Sequence, residues 1–92
     1  MRVNFYATLR AIVGQKTIEV DLTPGVTANE VVQAIIKDYP ALRPQLLDKN
    51  NEFQSRMKFF INGREAVYLK DKMNTIIQPD DHIDIFPPVG GG

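Results

Sequence analysis

The feature that most constrains how this chain folds is one helical segment that lies between stretches of alternating apolar and polar residues. Thr27 and Glu30 have the spacing of a capping box at a helix start. Apolar residues recur at helical spacing behind them, so one stripe of the helix would face a core. Pro40 ends the helix, because the residue before a proline disfavours helical dihedrals. Since the stretches on both sides alternate between apolar and polar residues, as half-buried strands do, we expect one main helix packed on a sheet.

Five stretches carry strand signals, and their order around the helix predicts an α+β fold with a mixed sheet. The predicted strands are 3–10, 17–22, 57–61, 65–69 and 82–86. We expect the first two to pair as a hairpin. Asn62-Gly63, between the third and fourth, is the strongest two-residue hairpin signal. The predicted core consists of Phe5, Leu9, Ile18, Val20, Val31, Ile35, Phe59, Ile61, Ile83 and Ile85.

The size and charge of the chain exclude several classes of function. Its 92 residues suffice for one domain with a single modest core. The 11 basic and 11 acidic residues cancel without forming a block of one sign, whereas a nucleic-acid scaffold shows a basic stripe. No apolar stretch is long enough to span a bilayer. We therefore expect no nucleic-acid partner and no membrane partner, and the absence of cysteine and of a signal-peptide pattern favours the cytoplasm.

The sequence contains few side-chain patterns that could support catalysis or bind a metal. His82 is the only histidine, which excludes a multi-histidine metal site, and we expect no bound metal. No Ser-His-Asp arrangement, glycine-rich phosphate loop or paired-carboxylate motif is present. Asp80, Asp81 and Asp84 lie close in the sequence, but they are expected to be solvated acids of a turn. The sequence thus predicts no catalytic side chains, and it leaves open whether the chain contributes to an enzyme as a subunit.

The last residues are unusual in composition. They are Phe86, Pro87, Pro88, Val89, Gly90, Gly91 and Gly92. Glycines have no Cβ and can enter a channel that a side chain would block, while the prolines stiffen the segment before them. Composition alone leaves two interpretations open, a reactive end presented to another protein's active site and a frayed terminus. We expect a folded domain at 1–87 and a flexible tail at 88–92.

Four stretches together match a known family. They are the opening strand at 3–10, the Tyr39-Pro40 helix end, the segment 60–64 and the closing segment 80–92, in which Phe-Pro-Pro-Val-x-Gly-Gly is the most specific. The chain resembles the ubiquitin-like β-grasp sulfur carriers of the MoaD/ThiS family, specifically the MoaD type, the small subunit of molybdopterin synthase. The related carrier ThiS also ends in Gly-Gly but is usually shorter and lacks the Pro-Pro step, so it fits less well. It departs from them at His82, where Glu is frequent, and at Asp81, where Gly is common. The resemblance implies a sheet of about five strands on one main helix.

The resemblance also implies chemistry at the carboxylate of Gly92. A MoeB-type, ubiquitin-activating-like enzyme would adenylate it with Mg-ATP. The adenylate would then become a thiocarboxylate, which donates sulfur to a pterin in the active site of a MoaE-type large subunit during molybdenum cofactor biosynthesis. Gly90 and Gly91 would form the thin tail that enters the partner, where water is excluded and hydrolysis suppressed. The chain itself would bind no cofactor.

Three aromatic residues stand on the otherwise polar faces of their predicted strands: Tyr6, Phe60 and Phe86. The first, third and last strands are neighbours in a β-grasp sheet, so the rings are expected to form one patch large enough for a functional surface. A bulge that turns one ring into the core, or three isolated rings, would be the alternative. We expect this patch to bind the partner together with Pro87, Pro88 and Val89.

Three functions therefore remain open from the sequence. The first is the sulfur carrier of molybdopterin (or tungstopterin) synthase. The second is a ubiquitin-like protein modifier, of the small archaeal modifier type, conjugated through Gly92 to lysines. The third is a binding module with an inert tail. Because the first two share all steps up to the adenylate, the sequence does not separate them.

Overall fold

A five-stranded mixed sheet forms the centre of the molecule in a computed structural model that describes residues 1–88. Its strands are β1 (Arg2–Phe5), β2 (Thr17–Glu19), β3 (Lys58–Ile61), β4 (Arg64–Glu65) and β5 (His82–Phe86). They lie in the order β2-β1-β5-β3-β4, with β1 and β5 parallel and all other neighbours antiparallel. The strands β5, β3 and β4 therefore lie on one side of β1, and β2 forms the edge of the sheet on the other side.

The helices are α1 (Ala7–Val13), α2 (Ala28–Asp38) and α3 (Arg43–Leu46), with short 3-10 turns at Pro40–Leu42, Ala66–Tyr68 and Lys72–Asn74. The predicted capping box of α2 is confirmed. The Glu30 N–H donates to Thr27 Oγ1 at 3.2 Å, and the Thr27 N–H donates to Glu30 Oε1 at 3.0 Å. The helix ends at Asp38, before Pro40, as the sequence predicts.

The prediction of a strand as far as Arg10 is wrong. The chain stays extended through Tyr6, reaches a positive φ of 53° at Ala7 and then forms α1. Leu9 is fully buried, and Val13, four residues later, packs against the core, so the apolar spacing is helical as well as alternating. The helix ends at Gly14, whose φ of 88° is a left-handed conformation that glycine adopts without strain.

Two further details differ from the predicted strands. β1 and β2 pair antiparallel, with Val3 opposite Ile18, but α1 rather than a tight turn connects them. The predicted strand 65–69 stops at Glu65, and a 3-10 turn follows. Ala66 is buried and Leu69 packs against the core, a spacing of three that suits a 3-10 turn rather than a strand.

The core lies between α2 and one face of the sheet. All ten predicted core residues are buried, and within residues 1–88 every buried side chain is apolar. None of the helices that the structure describes is long and apolar enough to cross a membrane. One helix on a mixed sheet with this strand order is the predicted α+β, ubiquitin-like β-grasp fold. The proposed domain boundary at 87 stays a prediction, because residues 89–92 of the tail lie outside the described part.

Candidate functional site

The three predicted aromatic residues come together on the outer face of the sheet, which α2 does not cover. The rings of Tyr6 and Phe86 stack at a centroid distance of 4.1 Å and an angle of 11°. The ring of Phe60 meets Phe86 edge to face at 5.4 Å. All three side chains are half-buried. They form one continuous surface, here called the aromatic cluster, and neither isolated rings nor a ring turned into the core is found.

Strand register explains why these rings meet. On β5, Ile83 and Ile85 point into the core, so Phe86 points outward. Its antiparallel neighbour β3 places Phe60 opposite Asp84, diagonal to Phe86 and within reach of a large side chain. Its parallel neighbour β1 places Phe5 beside Ile85, and the next residue of each chain segment continues this register, so Tyr6 lies beside Phe86. Tyr6 lies just past the strand, but its backbone is still extended and the alternation holds.

A hydrogen-bonded chain of polar side chains lies beside the aromatic cluster. Thr17 Oγ1 donates to Asn4 Oδ1 at 2.7 Å, and Asn4 Nδ2 donates to Asp84 Oδ1 at 2.9 Å. The Tyr6 hydroxyl donates to the same Asp84 oxygen at 2.9 Å. This hydrogen bond raises the pKa of the Tyr6 phenol above its ordinary value, and burial and the charge of Asp84 act in the same direction. The Asp84 carboxylate therefore stabilises the protonated form of the Tyr6 phenol.

Two lysines flank the cluster. Lys16 Nζ lies 5.7 Å from the centre of the Tyr6 ring, within the range of a cation–π contact. Lys58 is opposite Phe86 across β3 and β5, and its Nζ lies 3.6 Å from a carboxylate oxygen of Glu65. Both lysines are exposed, so the cluster has an apolar centre and a charged rim, the composition of a protein-binding surface.

The tail begins at the edge of this surface. Pro87 and Pro88 follow Phe86 directly and are half-buried. Val89, Gly90, Gly91 and Gly92, the other predicted tail residues, lie outside the described residues, and their roles stay predictions. The aromatic cluster is therefore placed at the base of the tail, as the sequence analysis expects.

The described residues around the aromatic cluster form no metal site. Within residues 1–88, no group of three or more His, Cys, Asp or Glu side chains is placed to hold a metal ion. His82 is exposed at the start of β5, as predicted for a surface residue. The aromatic cluster offers apolar area and stacked rings for contact with another molecule.

Sequence reasoning missed three residues of this site. Asp84 was expected to be a solvated turn acid, but it is half-buried on β5 and accepts two hydrogen bonds. Its alternation with Ile83 and Ile85 on a strand was the available signal. Asn4 shares a predicted polar face with Tyr6, but its partnership with Asp84 depends on the parallel register of β1 and β5. No sequence signal indicated that Lys16 lies over the ring of Tyr6.

Comparisons with known proteins agree with this fold. Small archaeal modifier protein 3 from Haloferax volcanii is 34% identical over 92 residues, which cover 100% of this chain and 98% of that protein. The solution structure of small archaeal modifier protein 1 from Methanosarcina acetivorans is 27% identical, with a TM-score of 0.85 over 99% of this chain and 94% of that one.

A second kind of neighbour shares the fold at lower identity. A protein named as molybdopterin converting factor subunit 1 from Pyrococcus furiosus is 19% identical, with a TM-score of 0.74 over 96% of this chain and 95% of that one. The model of the ThiS family matches residues 3–92. With its β-grasp sheet and this match over nearly its whole length, the chain belongs to the ThiS family.

Proposed function

We propose that this chain is a ubiquitin-like protein modifier that is joined through the carboxylate of Gly92 to lysine amines of other proteins. The observation that carries the proposal is the 34% identity, along the entire chain, to a small archaeal modifier protein. The sulfur-carrier function that the sequence suggested first has less support, because the molybdopterin converting factor subunit is matched in fold at only 19% identity.

The proposed chemistry needs a partner enzyme. A carboxylate is a poor electrophile, so an activating enzyme would first transfer AMP from Mg-ATP to Gly92 and release pyrophosphate. A lysine amine would then attack the carbonyl carbon, expel AMP and lose a proton to give an isopeptide. We assign the catalytic groups for these steps to the partner enzyme. A cytoplasmic location, where ATP is available, is part of the same proposal.

The aromatic cluster would hold the activating enzyme while the tail reaches its active site. Tyr6, Phe60 and Phe86 present ring surface beside Pro87 and Pro88. Aromatic anchors of this kind dominate many protein interfaces. The prolines would keep the glycines at a defined distance from the cluster, so docking and chemistry would be separated in space.

Sulfur transfer is the second candidate, and membership in the ThiS family favours it. The adenylate of Gly92 would then be converted to a thiocarboxylate, used with a MoaE-type subunit or another acceptor. Both functions start from the same activated tail, so one chain can serve both. They differ in what becomes attached to Gly92, and this difference is measurable.

Mass spectrometry of an affinity-tagged chain, purified under denaturing conditions from its native host, tests the proposal. Trypsin is unsuitable, because the last basic residue is Lys72 and the branch left on a target would span 73–92. A protease that cleaves before aspartate leaves the shorter branch 84–92 on a modified lysine. We expect this branch on lysines of other proteins, and we expect it to vanish when Gly92 is deleted.

The same samples distinguish the two candidates. If the free chain carries the mass increase of one sulfur replacing one oxygen and no branched peptides are found, the chain is a sulfur carrier and the modifier proposal is wrong. If both products are found, the chain has both functions. An unmodified free chain without branched peptides, under conditions in which ATP is not limiting, would contradict both candidates.

A further inference from the structure

Tyr6 lies where β1 ends and the chain turns into α1. It follows the last residue of β1 and precedes Ala7, whose φ of 53° changes the direction of the chain. The Tyr6 carbonyl accepts a hydrogen bond from the Leu9 N–H of α1 at 3.2 Å, so Tyr6 is no longer a residue in the middle of a strand. The ring is nevertheless stacked on Phe86 at an interplanar angle of 11°. Some other contact must fix its orientation.

The hydroxyl of Tyr6 provides that contact. It donates to Asp84 Oδ1 at 2.9 Å, and hydrogen bonds between a hydroxyl and a carboxylate are among the stronger ones in proteins. Asp84 and Phe86 are two residues apart on β5 and point to the same face. The Tyr6 ring therefore spans both side chains, with its face on Phe86 and its hydroxyl on Asp84.

Asp84 is itself held in place from β1 and β2. Asn4 is its register partner on the parallel strand and donates to the same carboxylate oxygen at 2.9 Å. Thr17 on β2 donates to Asn4 at 2.7 Å, which fixes the orientation of the Asn4 amide. The carboxylate is thus anchored across three strands before it accepts the Tyr6 hydroxyl.

We infer that Asp84 is a positioning residue of the aromatic cluster: through the Tyr6 hydroxyl it locks the Tyr6 ring on Phe86 and so prepares the surface that docks the activating enzyme. The docking part of this inference rests on the proposed function, whereas the locking part concerns this chain alone. A surface whose rings are already fixed loses less side-chain freedom on binding, which favours affinity. Asp84 acts through Tyr6 and touches no reacting atom.

The first test measures the locking part without any partner. In Asp84→Ala we expect the nuclear Overhauser contacts between the Tyr6 and Phe86 rings to weaken, and the phenol pKa of Tyr6, followed by absorbance, to fall toward its ordinary value. Asp84→Leu keeps a branched side chain of similar size but has no hydrogen-bond acceptor, and it serves if the alanine variant does not fold. Unchanged ring contacts in a folded Asp84 variant would overturn the inference.

Asp81→Asn is the matched control. Asp81 is also an acid whose carboxylate accepts two hydrogen bonds, from the side-chain amide of Asn62 at 2.8 Å and from the Gln78 N–H at 2.7 Å, but it lies outside the aromatic cluster. Its replacement disturbs a turn and leaves the Tyr6–Phe86 contacts intact. A loss of these contacts in Asp81→Asn as large as in Asp84→Ala would mean that Asp84 acts only through general stability.

The second test measures adenylation by the activating enzyme, as pyrophosphate exchange at varied concentrations of this chain. We expect Asp84→Ala to raise KM by about tenfold, the factor that corresponds to the loss of one charge-assisted hydrogen bond. We expect kcat to stay unchanged, because Gly92 reacts as before once the chain is bound. Tyr6→Phe should raise KM by a similar factor. Asp84→Ala in the Tyr6→Phe background should add less than about twofold, since both changes remove one interaction.

The outcomes separate this inference from the proposed function. If the two substitutions raise KM independently, or if Asp81→Asn raises it as much, the positioning role is refuted. If the wild-type chain is not adenylated, the proposed function fails, and the ring contacts still decide whether Asp84 locks Tyr6. Weakened ring contacts with an unchanged KM would refute the docking part.

Discussion

Replacement of Phe86 by alanine tests the assignment of the aromatic cluster most directly. The ring lies between Tyr6 at 4.1 Å and Phe60 at 5.4 Å, and its side chain is half-buried. Each aromatic pair contributes about 0.5–1.5 kcal/mol beyond its buried area, and half-burial of the ring contributes about 1 kcal/mol more, so Phe86→Ala should lower the free energy of unfolding by about 2–4 kcal/mol. The middle of this range lies below the ~3–5 kcal/mol typical of a fully buried phenylalanine.

The effect on binding should be similar in size to this loss. A central aromatic anchor contributes about 2 kcal/mol or more to an interface, which corresponds to roughly thirtyfold in Kd. Phe86 should have the largest effect in the cluster, because it contacts both other rings and carries the tail. We expect the folded Phe86→Ala chain to bind the activating enzyme at least about thirtyfold more weakly, measured by calorimetry at a temperature well below its melting point.

Two other aromatic residues serve as controls. Phe59, the neighbour of Phe60 on β3, is only 2% exposed. Phe59→Ala should therefore lower the free energy of unfolding by the ~3–5 kcal/mol typical of a fully buried phenylalanine. Tyr68 is 83% exposed and lies outside the cluster, so Tyr68→Ala should change neither stability nor binding. If Phe86→Ala lowers stability as much as Phe59→Ala while the folded chain binds normally, Phe86 acts as a core residue and the docking argument is refuted.

Three further predictions follow from the tail and the main helix. Deletion of Gly92 should abolish adenylation without changing the melting point; a truncated chain that still accepts AMP would exclude the tail as the reactive group. Gly91→Val should block activation, because a branched side chain is excluded from a narrow channel, and unchanged pyrophosphate exchange would contradict this. Thr27→Ala should lower the free energy of unfolding by about 1 kcal/mol, because the Glu30 N–H loses its acceptor; a denaturant midpoint equal to wild type would contradict it.

Local sequence patterns determined the elements whose signals lie within a few residues. The capping box and Pro40 predicted the bounds of α2, because both act on the first or last turn of a helix. The alternation of apolar and polar residues in β5 predicted the bounds of this strand and the inward direction of Ile83 and Ile85. Asn62-Gly63 predicted the turn between β3 and β4, where both residues have positive φ, because few other residue pairs adopt that turn without strain.

The same kind of pattern was ambiguous at α1. Leu9 fits both a strand face that includes Phe5 and a helix stripe that includes Val13. The structure chooses the helix, and Gly14 ends it with a left-handed conformation. Spacing alone did not decide, because a short apolar pattern satisfies both periods. Ala66 and Leu69 show the same ambiguity after β4.

The composition of the candidate site was visible in the sequence, but its geometry was decided by the tertiary structure. Alternation indicated that Phe60 and Phe86 point away from the core, whereas the role that the resemblance implies for the terminal glycines stays a prediction. The contact of Tyr6 with Asp84, 78 positions away, depends on the parallel register of β1 and β5. That register is set by burying the apolar faces of both strands against α2. Because long-range burial rather than local spacing selects the register, no short pattern in the chain specifies which polar side chains become neighbours.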